Sequence, residues 1–360
     1  MKSVLIYSFT FLILGCTMST NNSITETNNK NSFNPFFEKS KLYMGFPPFD
    51  LIKNEHYLPA FLMGMSKQLD EIDLITNNKE GPTFDNTIVA MEMSGELLGR
   101  VAAVFFALTS ANTNDEMEKI RAEIAPKLSA HSDKILLNPK LFKRVEEVYT
   151  NRESIGLNGE SMLLIERYYI DFVRSGSKLS IKEKDRLKSI NGEISVLQTQ
   201  FSQNVLKEVN ASAVIFDSRK DLDGLSNTAI ESAANEASSR GLNGKYVIAL
   251  KNTSGQPSLS SLKNRSSREK IHKASLSRGS RGGEFDNREI LVNIIKLRSE
   301  KARLMGYNNH AAYTLETQTA QNPQNVNKRL SSLSPKALAN AKKEASDLQK
   351  MIESEGSSFE

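Results

Sequence analysis

Leu187, Ile190, Ile194, Leu197, Phe201 and Val205 recur at steps of three and four. That spacing puts one apolar stripe along a helix of about six turns, and a helix that long must lie against other helices to bury it. Leu338, Ala341, Ala345, Leu348 and Ile352 repeat the pattern near the last residue. Asn86 to Leu108 is apolar on more than one face, through Ile88, Met91, Leu97, Leu98, Val101, Val104, Phe105 and Leu108. It is expected to be one helix in the middle of a bundle.

Boundary signals agree with a helical reading. Pro139 suits the first turn of a helix over 139–149, where its missing N–H costs little. Asp286 or Asn287 can cap a helix that runs to Met305, with Gly306 as its stop. Strand signals are few. Ala213–Phe216 and Tyr246–Leu250 are short β-prone runs between Asp, Gly and Asn residues, which predicts a small antiparallel ribbon in a mainly α protein. A chain of 360 residues has room for a large core and for two domains or one big one. Composition changes fall at 151–159 and 219–224.

The N-terminus reads differently. Lys2 is followed by the mainly apolar run Val4 to Leu14 and then Leu12-Ile13-Leu14-Gly15-Cys16. The run is too short to span a bilayer, which takes roughly 20 residues, and it suits the apolar region of an export signal. LILGC resembles the lipobox of bacterial lipoproteins, in which the cysteine is lipidated. Cys16 is the single cysteine of the chain, so no disulfide can form within it. The polar tract 17–32 has almost nothing to bury and reads as a flexible tether. Residues 1–16 are thus expected to be a lipoprotein signal, and the protein to be exported, lipid-anchored to a membrane of the cell envelope and facing the periplasm.

Several chemistries lack a sequence handle. Net charge is +5 with both signs interspersed, the pattern of solvated helix faces, so no nucleic-acid partner is expected. No GxSxG elbow is present. The four histidines are His56, His131, His272 and His310; the nearest two are 38 residues apart and none is followed by Glu. A catalytic zinc site needs two histidines on one helix face with a glutamate beside the first. Glu316 lies six positions after His310, on another face, so Asn309 is expected to cap a helix beginning there. The run 277–287 (SRGSRGGEFDN) sets glycines before a helix start but lacks the GK[ST] ending of a phosphate loop. It reads as a flexible inter-helix loop, in which Arg278 and Arg281 remain able to meet an anion such as a substrate carboxylate.

Five stretches together carry a resemblance. Pro47-Pro48-Phe49-Asp50 followed by His56-Tyr57-Leu58-Pro59-Ala60-Phe61, then Pro82 to Thr87, Ala125 to His131, Gly282 to Arg288 and Leu304 to Ala311 stand in register. They resemble bacterial peptidyl-dipeptidases of the thimet oligopeptidase and neurolysin group of zinc metallopeptidases, from about Asn34 to the last residue. The resemblance implies a nearly all-helical ellipsoid split by a deep channel that admits short unstructured peptides. It also implies zinc-assisted hydrolysis releasing C-terminal dipeptides. The expected domains are a helical unit over 33–155 and, over 156–360, the start of the catalytic region.

The family's HExxH motif is absent from these 360 residues. By that reading the chain is the N-terminal half, stops before the zinc motif, binds no zinc itself and is inactive without a C-terminal half. No catalytic or metal-ligating residue is carried onto any position here. The rival expectation is a non-catalytic peptide-binding or scaffold lipoprotein.

Overall fold

The computed structural model describes residues 33–250 and 256–357. Cys16, its signal and the 17–32 tether lie outside the described residues. Where described, the chain is mainly α, as the periodicities require.

Helix α1 (Asn54–Thr76) packs along α3 (Glu96–Ala111) and α4 (Asp115–Leu136). Tyr57, Phe61, Val101, Phe105 and Ile124 from these helices are almost wholly buried against one another. Tyr57, Phe61 and Phe106 all meet the Phe105 ring, with centroids 5.0, 5.3 and 5.3 Å away. Edge-on contacts of this kind add to the large apolar area that aromatic rings bury.

The expected single helix over Asn86–Leu108 is instead broken. A π-helical turn (Phe84–Val89) and the one-turn α2 (Ala90–Glu92) precede a break at Gly95, and α3 starts only at Glu96. Gly95 adopts φ +76°, a left-handed conformation that favours glycine. Its N–H donates to Glu71 Oε2 at 2.7 Å, so a carboxylate of α1 satisfies an amide at the start of α3. A β-carbon there would lie 2.3 Å from Gln68 Nε2. Gly95→Ala is therefore expected to cost about 2 kcal/mol, from backbone strain and displacement of Gln68. Urea unfolding would measure it, and a loss below about 0.5 kcal/mol would contradict this account of the break.

A second core cluster sits beyond the first. It joins the end of α1 to α5 (Pro139–Asn151) and α6 (Gly159–Arg174) through Ile72, Leu141, Val145, Ile165 and Phe172. Pro139 stands at the start of α5, and Asn138 Oδ1 accepts from the N–H groups of Lys140 and Leu141. The long stripe becomes α7 (Ile181–Ala211), whose face lies on α4 and on α10 (Arg288–Leu304). Leu187 and Ile190 are fully buried, whereas Ile194, Leu197, Phe201 and Val205 are only half-buried.

The ribbon forms as expected. β1 (Val214–Phe216) pairs antiparallel with β2 (Tyr246–Ile248), Ile215 opposite Val247. Phe216, Leu222, Ile230 and Ile271 close a third cluster with α8 (Asn227–Ser239) and α9 (Arg265–Leu276). Past α10, Gly306 takes φ +83° and the Tyr307 N–H returns to Ala302 O at 2.8 Å, which ends the helix. Asn309 Oδ1 then accepts from Ala312 N to cap α11 (His310–Leu315). The final helix, α12 (Pro323–Ser354), carries the stripe through Leu338 and Leu348, yet none of its residues is buried.

Candidate functional site: a polar cleft between two helices

Polar side chains on facing helices give α4 and α7 an open seam. A cleft of about 600 Å³ runs along it, bordered by Arg121 and Phe106 at one end and by Asp133, Asn191 and Lys301 at the other. Small side chains, including Ser129, Ser132 and Ser195, leave the space between. Gln203 holds the two helices together, its amide donating to Glu118 O at 2.7 Å.

At the inner end Asn191 bridges two charges. Its Nδ2 donates to Asp133 Oδ1 at 2.8 Å, and its Oδ1 accepts from Lys301 Nζ at 2.7 Å. Burial raises the Asp133 carboxyl above its ordinary value, against the opposing pull of Asn191 and Lys301. Burial likewise pushes the Lys301 ammonium down. Sequence reading singled out none of these residues, because each sits at an ordinary polar position of its own helix.

Beside this end lies a cluster on Arg174, the last residue of α6. Its guanidinium pairs with Glu316, donates to Tyr313 O at 2.6 Å, and lies over the Tyr313 ring with its carbon 4.5 Å from the centroid. The Tyr307 hydroxyl also donates to Glu316, and Tyr313 Oη donates to Arg174 O at 2.9 Å. Burial raises the Tyr307 and Tyr313 hydroxyls above the usual phenol range. Glu316, which has no partner within its own helix spacing, thus finds one 142 residues away.

The loop 277–287 is fastened rather than loose. Arg281 pairs with the buried Glu208 of α7 and also donates to Ala274 O. This corrects the expectation that Arg281 stands ready for a substrate carboxylate: a carboxylate of the chain already holds it. Arg278 Nη2 approaches Leu250 O at 3.5 Å. Asn287 receives a hydrogen bond from Asn204 at 3.1 Å and donates to Phe201 O at 3.0 Å, while Asp286 Oδ1 accepts from the Arg288 amide at the start of α10.

Three of the four histidines, His56, His131 and His310, make contacts within the fold. His56 Nδ1 accepts from Lys53 N at 3.0 Å and closes the start of α1. His272 is exposed on α9, and His310 opens α11 with Nε2 3.4 Å from Thr314 Oγ1. His131 is buried on α4, with Nε2 2.7 Å from Gln68 Oε1, an acceptor that keeps the proton on Nε2. Among the described residues no group of three or more His, Cys, Asp or Glu side chains is arranged to hold a metal ion. The described residues do not fit a zinc centre.

Burial pushes the His131 imidazole below its ordinary value of 6.5, helped by the charge of Lys134. Above that value the ring is neutral whether the chain is folded or not. Below it the unfolded chain takes the proton first, so stability falls as pH drops from about 6.5 toward the lower folded value. His131→Gln should flatten the decline in urea midpoint between about pH 7 and pH 5, leaving the share of His310, which burial shifts the same way. An unchanged slope would remove His131 as its source.

Residues 258–360, from the 3-10 turn before α9 through α12, match the model for peptidase family M3. The chain is 37% identical over 328 residues to the dipeptidyl carboxypeptidase of Escherichia coli, covering 91% of this chain and 48% of that protein. The dipeptidyl carboxypeptidase of Salmonella typhimurium is also 37% identical, over 324 residues, 90% of this chain and 48% of its own length. Oligopeptidase A of Haemophilus influenzae is 29% identical over 315 residues, 86% of this chain and 46% of that protein. The chain therefore spans about half the length of the curated relatives it matches. Residues 258–360 thus resemble peptidase family M3, and nine-tenths of the chain is similar to about half of the length of a dipeptidyl carboxypeptidase.

Proposed function

We propose that this chain forms one wall of the peptide channel in a zinc-dependent peptidyl-dipeptidase that releases C-terminal dipeptides from short unstructured peptides. Zinc and the catalytic groups would come from residues outside these 360, and the 360 residues alone would turn over no peptide. The observation that carries the reading is the likeness to dipeptidyl carboxypeptidases over about half their length, joined to the commitment of His56 to a helix start and of His131 to the core.

The outward apolar side chains of the last helices support it. Ile295 of α10 is 57% exposed, and Leu338 and Leu348 of α12 are 56% and 60% exposed. Apolar stripes left in water mark surfaces that another part of a protein covers. A scaffold lipoprotein complete in itself would bury them. Export and anchorage through Cys16 belong to the same proposal, placing the peptidase in the periplasm-facing envelope.

Two experiments test it. The purified chain, incubated with added zinc and an unstructured peptide, should release no dipeptide; release abolished by a chelator would put the chemistry inside these residues. Cells fed labelled palmitate should label the protein, and Cys16→Ser should remove the label. Persistent labelling of that variant would exclude Cys16 as the lipid attachment point.

A further inference from the structure

The inner end of the α4–α7 cleft holds two opposite charges that do not touch. Asp133 is buried on α4, Lys301 is half-buried on α10, and the Asn191 carboxamide of α7 lies between them. Neither charge makes an ion pair among the described residues. Opposite charges taken out of water offset their lost hydration best by direct contact, which the interposed amide prevents. Each keeps unused capacity as a result. An ammonium has three N–H groups, and Lys301 spends one on Asn191; the Asp133 carboxylate meets Asn191 through a single oxygen. Both side chains border the open cleft.

We propose that this end of the cleft binds a short peptide with both termini free, the size of a dipeptide. Its ammonium would sit on Asp133 and its carboxylate on Lys301, with Asn191 holding the two receptors apart. Two hydrogen bonds and one carboxamide keep those charges no more than about 8 Å apart. The termini of an extended dipeptide are separated by about 6 Å, whereas those of a free amino acid, about 3 Å apart, reach only one receptor at a time. The serine side chains beside this end leave room for small residues of the ligand. Charge-assisted hydrogen bonds at both ends give selectivity for the zwitterion over either blocked form. The inference rests on the cleft and not on the peptidase reading, so it is tested without turnover.

The probe is alanyl-alanine, titrated calorimetrically to about 10 mM into the 360-residue chain, a range that reaches millimolar affinities. N-acetyl-alanyl-alanine and alanyl-alanine amide are the paired controls. Alanyl-alanine should bind saturably, and each blocked form should bind at least about tenfold more weakly. No saturable heat from alanyl-alanine, or equal binding of all three, overturns the proposal. The blocked ligands alter no residue, so this comparison does not depend on a variant folding. Lys301→Gln keeps a donor for Asn191 and removes the charge; with an unchanged circular dichroism spectrum it should bind alanyl-alanine at least about tenfold more weakly. Unaltered binding by that variant would equally overturn it.

Discussion

Phe105→Ala is expected to destabilise the chain by about 4 kcal/mol, near the upper end for a buried aromatic cut to a methyl group. The ring is fully buried where α1, α3 and α4 meet, and three further aromatic rings lean on it. Its neighbours are held by their own helices, so they close little of the space left behind, and a cavity adds to the lost transfer energy. Phe106, next in sequence, is 39% exposed at the edge of the cleft. Phe106→Ala should cost no more than about 1.5 kcal/mol, because much of its surface is already in water. Urea unfolding of the pair decides the matter. Equal losses, or a loss below about 2 kcal/mol for Phe105→Ala, would mean that the core does not centre on this residue.

Arg144→Met should cost about 3 to 4 kcal/mol by a different mechanism. Arg144 lies on the buried side of α5 and makes no ion pair among the described residues. Its guanidinium instead binds the segment that leads into the π-helical turn. It donates to Glu80 O at 3.1 Å, Asn86 Oδ1 at 2.8 Å, Thr87 Oγ1 at 3.3 Å and Asn78 O at 3.4 Å. Asn86 Oδ1 also accepts from the Thr83 N–H at 2.8 Å, so one side chain organises the whole approach to that turn. Methionine fills similar volume and leaves these acceptors without donors. Arg144→Lys should rescue less than half of the loss, since a single ammonium cannot span a fork of acceptors. Amide exchange over 78–87 should rise in both variants. Full rescue by lysine would show that charge, and not the planar fork, fixes the segment.

The parts of this fold legible in the sequence are those fixed by neighbours a few residues apart. The α7 stripe, the Pro139 start of α5, the Gly306 stop, the Asn309 cap and the two strands all follow from local spacing. What stayed hidden depends on residues far away in the chain. The break at Gly95 needs Gln68 and Glu71 of α1, and nothing within the apolar run 86–108 signals it.

Arg144, Arg174 and Arg281 each look like ordinary basic positions on a helix or loop. Their roles appear only once the fold brings Glu80, Glu316 and Glu208 to them. The cleft was illegible for the same reason, since Asp133, Asn191 and Lys301 come from three helices. The α12 stripe gave the helix correctly but could not say which surface it covers, and here it covers none among the described residues.

The central proposal is that these residues form one wall of a larger zinc peptidase whose metal ligands lie outside them. Reading the transcript past the codon for Glu360 tests it most directly. The account predicts that the frame, continuous or restored after one shift, leads into a segment carrying HExxH. A stop codon followed by unrelated sequence would contradict it, and the 360 residues would then have to act by binding alone.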